Sequence, residues 1–95
     1  MTAQDVSLVQ KPLTMDILMR IVTDEGQTKA QIMRSYDDLV NRTVHYRLSE
    51  MFDMGWIEYR DSVMSSKAIF ATPRGQYIHE IVTDVLADIE CLGGA

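Results

Sequence analysis

The sequence predicts one mainly α domain with a small β-hairpin, and two patterns carry that expectation. Apolar residues recur at helical spacing in three stretches up to residue 54 and again from residue 78 onward. Between them, residues 56–72 switch to the two-residue alternation of strands. A chain of 95 residues, 46% apolar and 24% charged, suits a single folded unit.

Residues 1–11 show no period and read as an N-terminal arm, which leaves 12–92 as the domain. Lys11-Pro12 opens the first helix. Thr14 is placed as its N-cap, Asp16 suits a first turn, and Ile17, Leu18, Ile21 and Val22 form its apolar side. The helix is expected to stop near Asp24-Glu25-Gly26, with Gly26 as the C′ residue. In the second helix Thr28 caps and Gln31 completes a capping box, while Ala30, Ile32 and Met33 face inward. Ser35 to Asp38 is a polar turn. The third helix runs from about Val40 to Met54, with Asn41 or Asp38 as N-cap. Val44, Leu48, Met51 and Phe52 make its apolar stripe, and Gly55 ends it.

Trp56–Arg60 and Ala68–Thr72 read as paired strands joined by the polar connector Asp61–Lys67. A two-stranded ribbon is marginal alone, so it must pack on the helices, with Trp56 as the core residue between them. Thr72 as N-cap and Pro73 at the first helical position start the last helix, 73–92, which Gly93-Gly94 terminates. Its face of Ile78, Ile81, Val82, Val85, Leu86 and Ile89, extended by Leu92, is wider than one small core needs. A homodimer interface is therefore expected there.

Helix, helix, turn, helix, ribbon, helix is the order of a winged helix-turn-helix. Three stretches carry a resemblance to archaeal winged-helix regulators and, more loosely, to the MarR and PadR families. They are Thr28-Lys29-Ala30-Gln31-Ile32, the segment LSEMFDMGWI from Leu48 to Ile57, and Ala71-Thr72-Pro73-Arg74-Gly75. The similarity covers about residues 14–90. It implies a transcriptional regulator that reads double-stranded DNA as a homodimer, with the third helix in the major groove. On that reading Arg42 and Arg47 meet guanine edges or phosphates, and Thr43, His45, Tyr46 and Ser49 hydrogen-bond bases or phosphates. Lys29 and Arg34 lie near the DNA backbone, and Arg60, Lys67 and Arg74 flank the wing.

The residues also support a blander reading. Arg47 can pair with Glu50 or Asp53 on its own helix. The net charge of −5 and the acidic turn Tyr36-Asp37-Asp38-Leu39 suit a winged-helix protein–protein interaction module with no direct DNA contact. The acidity, however, sits at the two ends. Residues 27–75 hold seven basic and six acidic side chains, so the centre can still face phosphate.

Other function classes find little support. Cys91 is the single cysteine, which excludes an intrachain disulfide and fits a reducing compartment. His45 and His79 lie far apart, and no spacing suits a metal or a glycine-rich phosphate loop. No cofactor and no enzymatic activity are expected. The N-terminus has no signal pattern and no apolar run approaches membrane-spanning length, so a cytoplasmic location is expected.

Overall fold

The computed structural model describes residues 1–62 and 66–93, with the side chains of the last helix described through Ile89. In chain order the elements are α1 (Ala3–Val9), α2 (Thr14–Thr23), β1 (Gln27–Thr28), α3 (Lys29–Arg34), α4 (Asn41–Asp53), β2 (Ile57–Asp61), β3 (Lys67–Ala71) and α5 (Pro73–Gly93). A short 3-10 turn, Asp38–Val40, leads into α4. The three strands form one antiparallel sheet in the order β1-β3-β2.

The expected ribbon is present as β2 and β3, in register from Ile57↔Ala71 to Asp61↔Lys67. The Ser62 amide donates to the Ser66 carbonyl at 3.1 Å, which closes the base of the hairpin. Residues 63–65 of the expected connector, and the apolar and terminating roles given to Leu92 and Gly93-Gly94, lie outside the described residues or side chains. The added strand β1 pairs Gln27 with Ile69 and Thr28 with Ala68. Two residues are too few to leave a period in the sequence.

The N-terminal segment corrects the expectation of an arm. Thr2 caps α1 in a full capping box, its hydroxyl accepting from the Asp5 amide while the Asp5 carboxylate accepts from the Thr2 amide. Leu8 enters the hydrophobic core and Asp5 is 1% exposed. A helix of seven residues has little stability of its own, so packing holds it.

Two helix termini also differ from expectation. Thr14 is the first residue of α2 and not its cap. Leu13 takes the cap position in a left-handed conformation, φ 68°, and the Thr14 hydroxyl is buried without a hydrogen-bond partner among the described residues. At the other end α2 stops at Thr23, capped by Asp24. Gly26, with φ 92°, leads into β1 instead, its amide donating to the Ile69 carbonyl at 3.0 Å.

Other sequence signals match the structure. Thr28 and Gln31 form the capping box of α3. The Thr72 hydroxyl accepts from the Gly75 amide at 3.1 Å, as an N-cap should. Val44, Leu48 and Met51 of α4 are buried, but Phe52 is half exposed and stacks at 5.3 Å on Tyr59 outside the core. One further cap differs: Val40, and neither Asn41 nor Asp38, occupies the N-cap position of α4, and Asn41 is its first residue.

The core joins Leu8, Ile17, Leu18, Ile21, Ile32, Val44, Leu48, Met51, Trp56, Ile57, Ile69, Ala71 and Ile78. Trp56, fully buried, sits where α4 passes into the sheet. Its carbonyl accepts the Thr72 amide at 3.0 Å, and a Cβ on Gly75 would stand 2.0 Å from that same oxygen. The Thr-Pro-Arg-Gly sequence therefore encodes a cap and a close backbone crossing. The start of α5 is fixed against the end of the sheet by both.

Candidate nucleic-acid interface

The buried face of α4 places its opposite face in solvent. Residues 42, 46, 49 and 53 step by four, three and four along that outward face, with His45 beside them. Arg42 and Ser49 are exposed, Tyr46 is 51% exposed, and the His45 and Tyr46 rings lie 6.0 Å apart. The Arg42 side chain makes no hydrogen bond or ion pair with any described residue. Thr43 is half buried at the edge of this face.

Arg47 is engaged within the chain. It leaves the helix on the flank opposite His45 and is only 15% exposed. Its Nε donates to the Pro12 carbonyl at 3.0 Å, and its Nη1 pairs with Glu50. Glu50 also pairs with Lys11. Burial pushes the Glu50 carboxyl up, but the hydrogen bonds and charges of Lys11 and Arg47 outweigh it, so the net shift is downward. The pair with Glu50 that the sequence allowed is formed, and Arg47 fastens α4 to the joint between α1 and α2.

Arg74 is similarly engaged. It pairs with Asp5, which also accepts from the Trp56 indole Nε1 at 2.8 Å. Burial alone would raise the Asp5 carboxyl. The Thr2 amide, the Trp56 indole, the Thr2 hydroxyl and Arg74 more than offset this and bring it down to about 2.

The structure brings Lys29 and Lys67 to one open groove between α3 and the wing, about 450 Å³ in volume and lined also by Thr28, Ala30, Tyr59 and Ser66. Arg60 lies 4.3 Å over the Phe70 ring and pairs with Glu58, so its charge is partly neutralised on the wing itself. Arg34 is exposed, its Nε reaching the Ala30 carbonyl at 3.4 Å.

The sequence did not point to the anchor of the turn before α4. The Tyr36 hydroxyl donates to Asp16 of α2, and Arg20 lies 4.7 Å over the Tyr36 ring. Burial, then the bond to Asp16, pushes the Tyr36 hydroxyl up to about 12. These groups are twenty positions apart, and no local pattern links them.

The expected dimer face divides in two. Ile78 is buried and Val82 packs against the chain's own core, with Ile81 half buried. Ile78 thus belongs to the intrachain core and not to an outer face. Val85 and Leu86, each 51% exposed, and Ile89, 59% exposed, lie farther along α5. A 21-residue helix is about 31 Å long, and the domain measures 49 Å in its longest direction.

Among the described residues no group of three or more His, Cys, Asp or Glu side chains could hold a metal ion, and no helix is long and apolar enough to cross a membrane.

This arrangement is a winged helix-turn-helix: α3, the turn and α4 form the helix-turn-helix, and β2 and β3 the wing. No protein-family model matches the chain, and no curated protein sequence does. Solved structures of transcriptional regulators do match in fold. The regulator SlyA superposes with a TM-score of 0.71 at 16% identity, over 96% of this chain and 65% of SlyA. MepR, a transcription regulator of the Staphylococcus aureus multidrug efflux pump MepA, matches with a TM-score of 0.76 at 19% identity, over 94% of this chain and 69% of MepR. Streptococcus pneumoniae FabT, solved in complex with DNA, matches with a TM-score of 0.68 at 20% identity, over 96% of this chain and 69% of FabT. The structural neighbours include MarR-family winged-helix regulators, and the chain shares their fold.

Proposed function

We propose that this chain is a homodimeric transcriptional regulator that binds double-stranded DNA without a cofactor and works in the cytoplasm. The observation that carries the reading is the outward face of α4, where Arg42 stands exposed, with no side-chain partner among the described residues, beside His45, Tyr46 and Ser49. A guanidinium so placed can bind guanine or phosphate as the helix enters the major groove. Lys29 and Lys67 supply backbone contacts from the groove under the wing. FabT, of the same fold, was solved on DNA, which supports the reading without extending it to a target sequence.

The exposed Val85, Leu86 and Ile89 of α5 support the dimer. Two copies joined there would present two α4 helices to successive turns of DNA. Regulator neighbours of the same fold favour a binding role over an enzymatic one.

The test is binding of the purified protein to duplex DNA of random sequence at low salt, followed by selection of a preferred site from that pool. Binding that weakens as salt rises, with a recoverable inverted-repeat site, is the expected result. A folded protein that binds no duplex at low salt would refute the reading. It would favour the second one, a protein-interaction module, for which the acidic residues Asp37, Asp38 and Asp53 at the two ends of the same face speak.

A further inference from the structure

We propose that Leu39 is a specificity-determining residue that reads thymine through its C5-methyl group, an inference that rests on the DNA-binding reading above. Leu39 is 93% exposed, by far the most solvated large apolar side chain among the described residues. Nothing in the fold needs a leucine there. It sits in the 3-10 turn Asp38–Val40 that runs straight into α4, three positions before Arg42 and seven before Tyr46.

The turn holds this position firmly. The Val40 amide donates to the Asp37 carbonyl at 3.0 Å, and Asn41 Nδ2 donates to Asp38 Oδ1 at 3.2 Å. Tyr36, just upstream, is fastened to Asp16 and Arg20 of α2. An apolar side chain is thus presented at the entry of the helix whose N-terminal end meets base edges in a helix-turn-helix complex. The major-groove edges offer hydrogen-bonding atoms at every pair but only one apolar group, the thymine methyl. The Leu39 side chain has no hydrogen-bonding atom, so the methyl is the one base feature it can recognise. Arg42, three positions on, supplies the neighbouring polar contact, which keeps the leucine in register with a base.

The experiment uses the full chain and a duplex selected by it from random sequence. Each thymine is replaced in turn by deoxyuridine, which removes the methyl and nothing else. Affinity is measured by fluorescence anisotropy for the wild type and for Leu39→Ala, with thermal melting to show that the exposed substitution leaves the fold intact. At one thymine of each half-site the wild type should lose about four-fold, the factor for one buried methyl. Leu39→Ala should bind more weakly and show no loss at that position. Insensitivity of the wild type to every replacement, equal sensitivity of Leu39→Ala, or a selected site without a common thymine would each overturn the proposal. If the wild type binds no duplex at all, the DNA-binding reading has failed first, and the result is visible before any thymine is replaced.

Discussion

The Trp56 indole donates to the Asp5 carboxylate at 2.8 Å across 51 positions of the chain, and this bond joins the first helix to the start of the sheet. Arg74 reaches the same carboxylate from α5, so one buried acid ties three elements together. Asp5→Ala would leave the indole N–H buried without a partner and remove the counter-charge of Arg74. The expected cost is roughly 3 kcal/mol, read as a lower urea midpoint with an unchanged slope. Arg74→Ala should cost less, because that side chain is half exposed and water can replace it.

The same carboxylate predicts a pH dependence. Its pKa is lowered in the folded state from 3.8 to about 2. The unfolded chain therefore binds a proton at higher pH than the folded one. The stabilisation is fully present above pH 3.8 and is lost as pH falls towards 2, to the extent of about 2 kcal/mol. Urea unfolding between pH 5 and pH 2 should show this loss. The part due to Asp5 should vanish in Asp5→Asn.

The Thr14 hydroxyl is buried with no partner among the described residues, at a joint where Leu13 already takes a left-handed conformation. Thr14→Val removes the unsatisfied group while keeping the shape. Thermal melting should show stability unchanged or raised by about 1 kcal/mol. A loss of several degrees would show that the hydroxyl has a partner after all.

Gly75 leaves no room for a side chain, because a Cβ would stand 2.0 Å from the Trp56 carbonyl oxygen. Gly75→Ala must push α5 away from the end of the sheet. Loss of several kcal/mol of stability is expected, whereas Gly55→Ala, where a Cβ meets nothing within 4 Å, should show only the smaller strain of its positive φ.

Much of the fold was legible because its signals are local. The Thr28–Gln31 capping box, the Thr72-Pro73 helix start and the stripe of Val44, Leu48 and Met51 each lie within one or two turns of chain. Helix α1 was not legible, since its burial depends on Trp56 and Arg74, which are distant in sequence. The candidate site was legible only as a set of residue types. Arg42 and Arg47 are five positions apart on one helix and look alike in the sequence. Only the position of Pro12 and Lys11 shows that Arg47 is held at the α1–α2 joint while Arg42 is left exposed.

The contrast between those two arginines is the most direct test of the account. The measurement is the slope of log affinity against log salt for duplex DNA, for the wild type, Arg42→Ala and Arg47→Ala, together with the melting temperature of each. Arg42→Ala should keep its melting temperature, bind at least several-fold more weakly, and lose about one unit of salt slope if its contact is to phosphate. Arg47→Ala should lose about 1–2 kcal/mol of stability and, while folded, keep the wild-type slope. The reverse pattern, with Arg47 governing the salt slope and Arg42 without effect on binding, would contradict the placement of DNA on the outward face of α4.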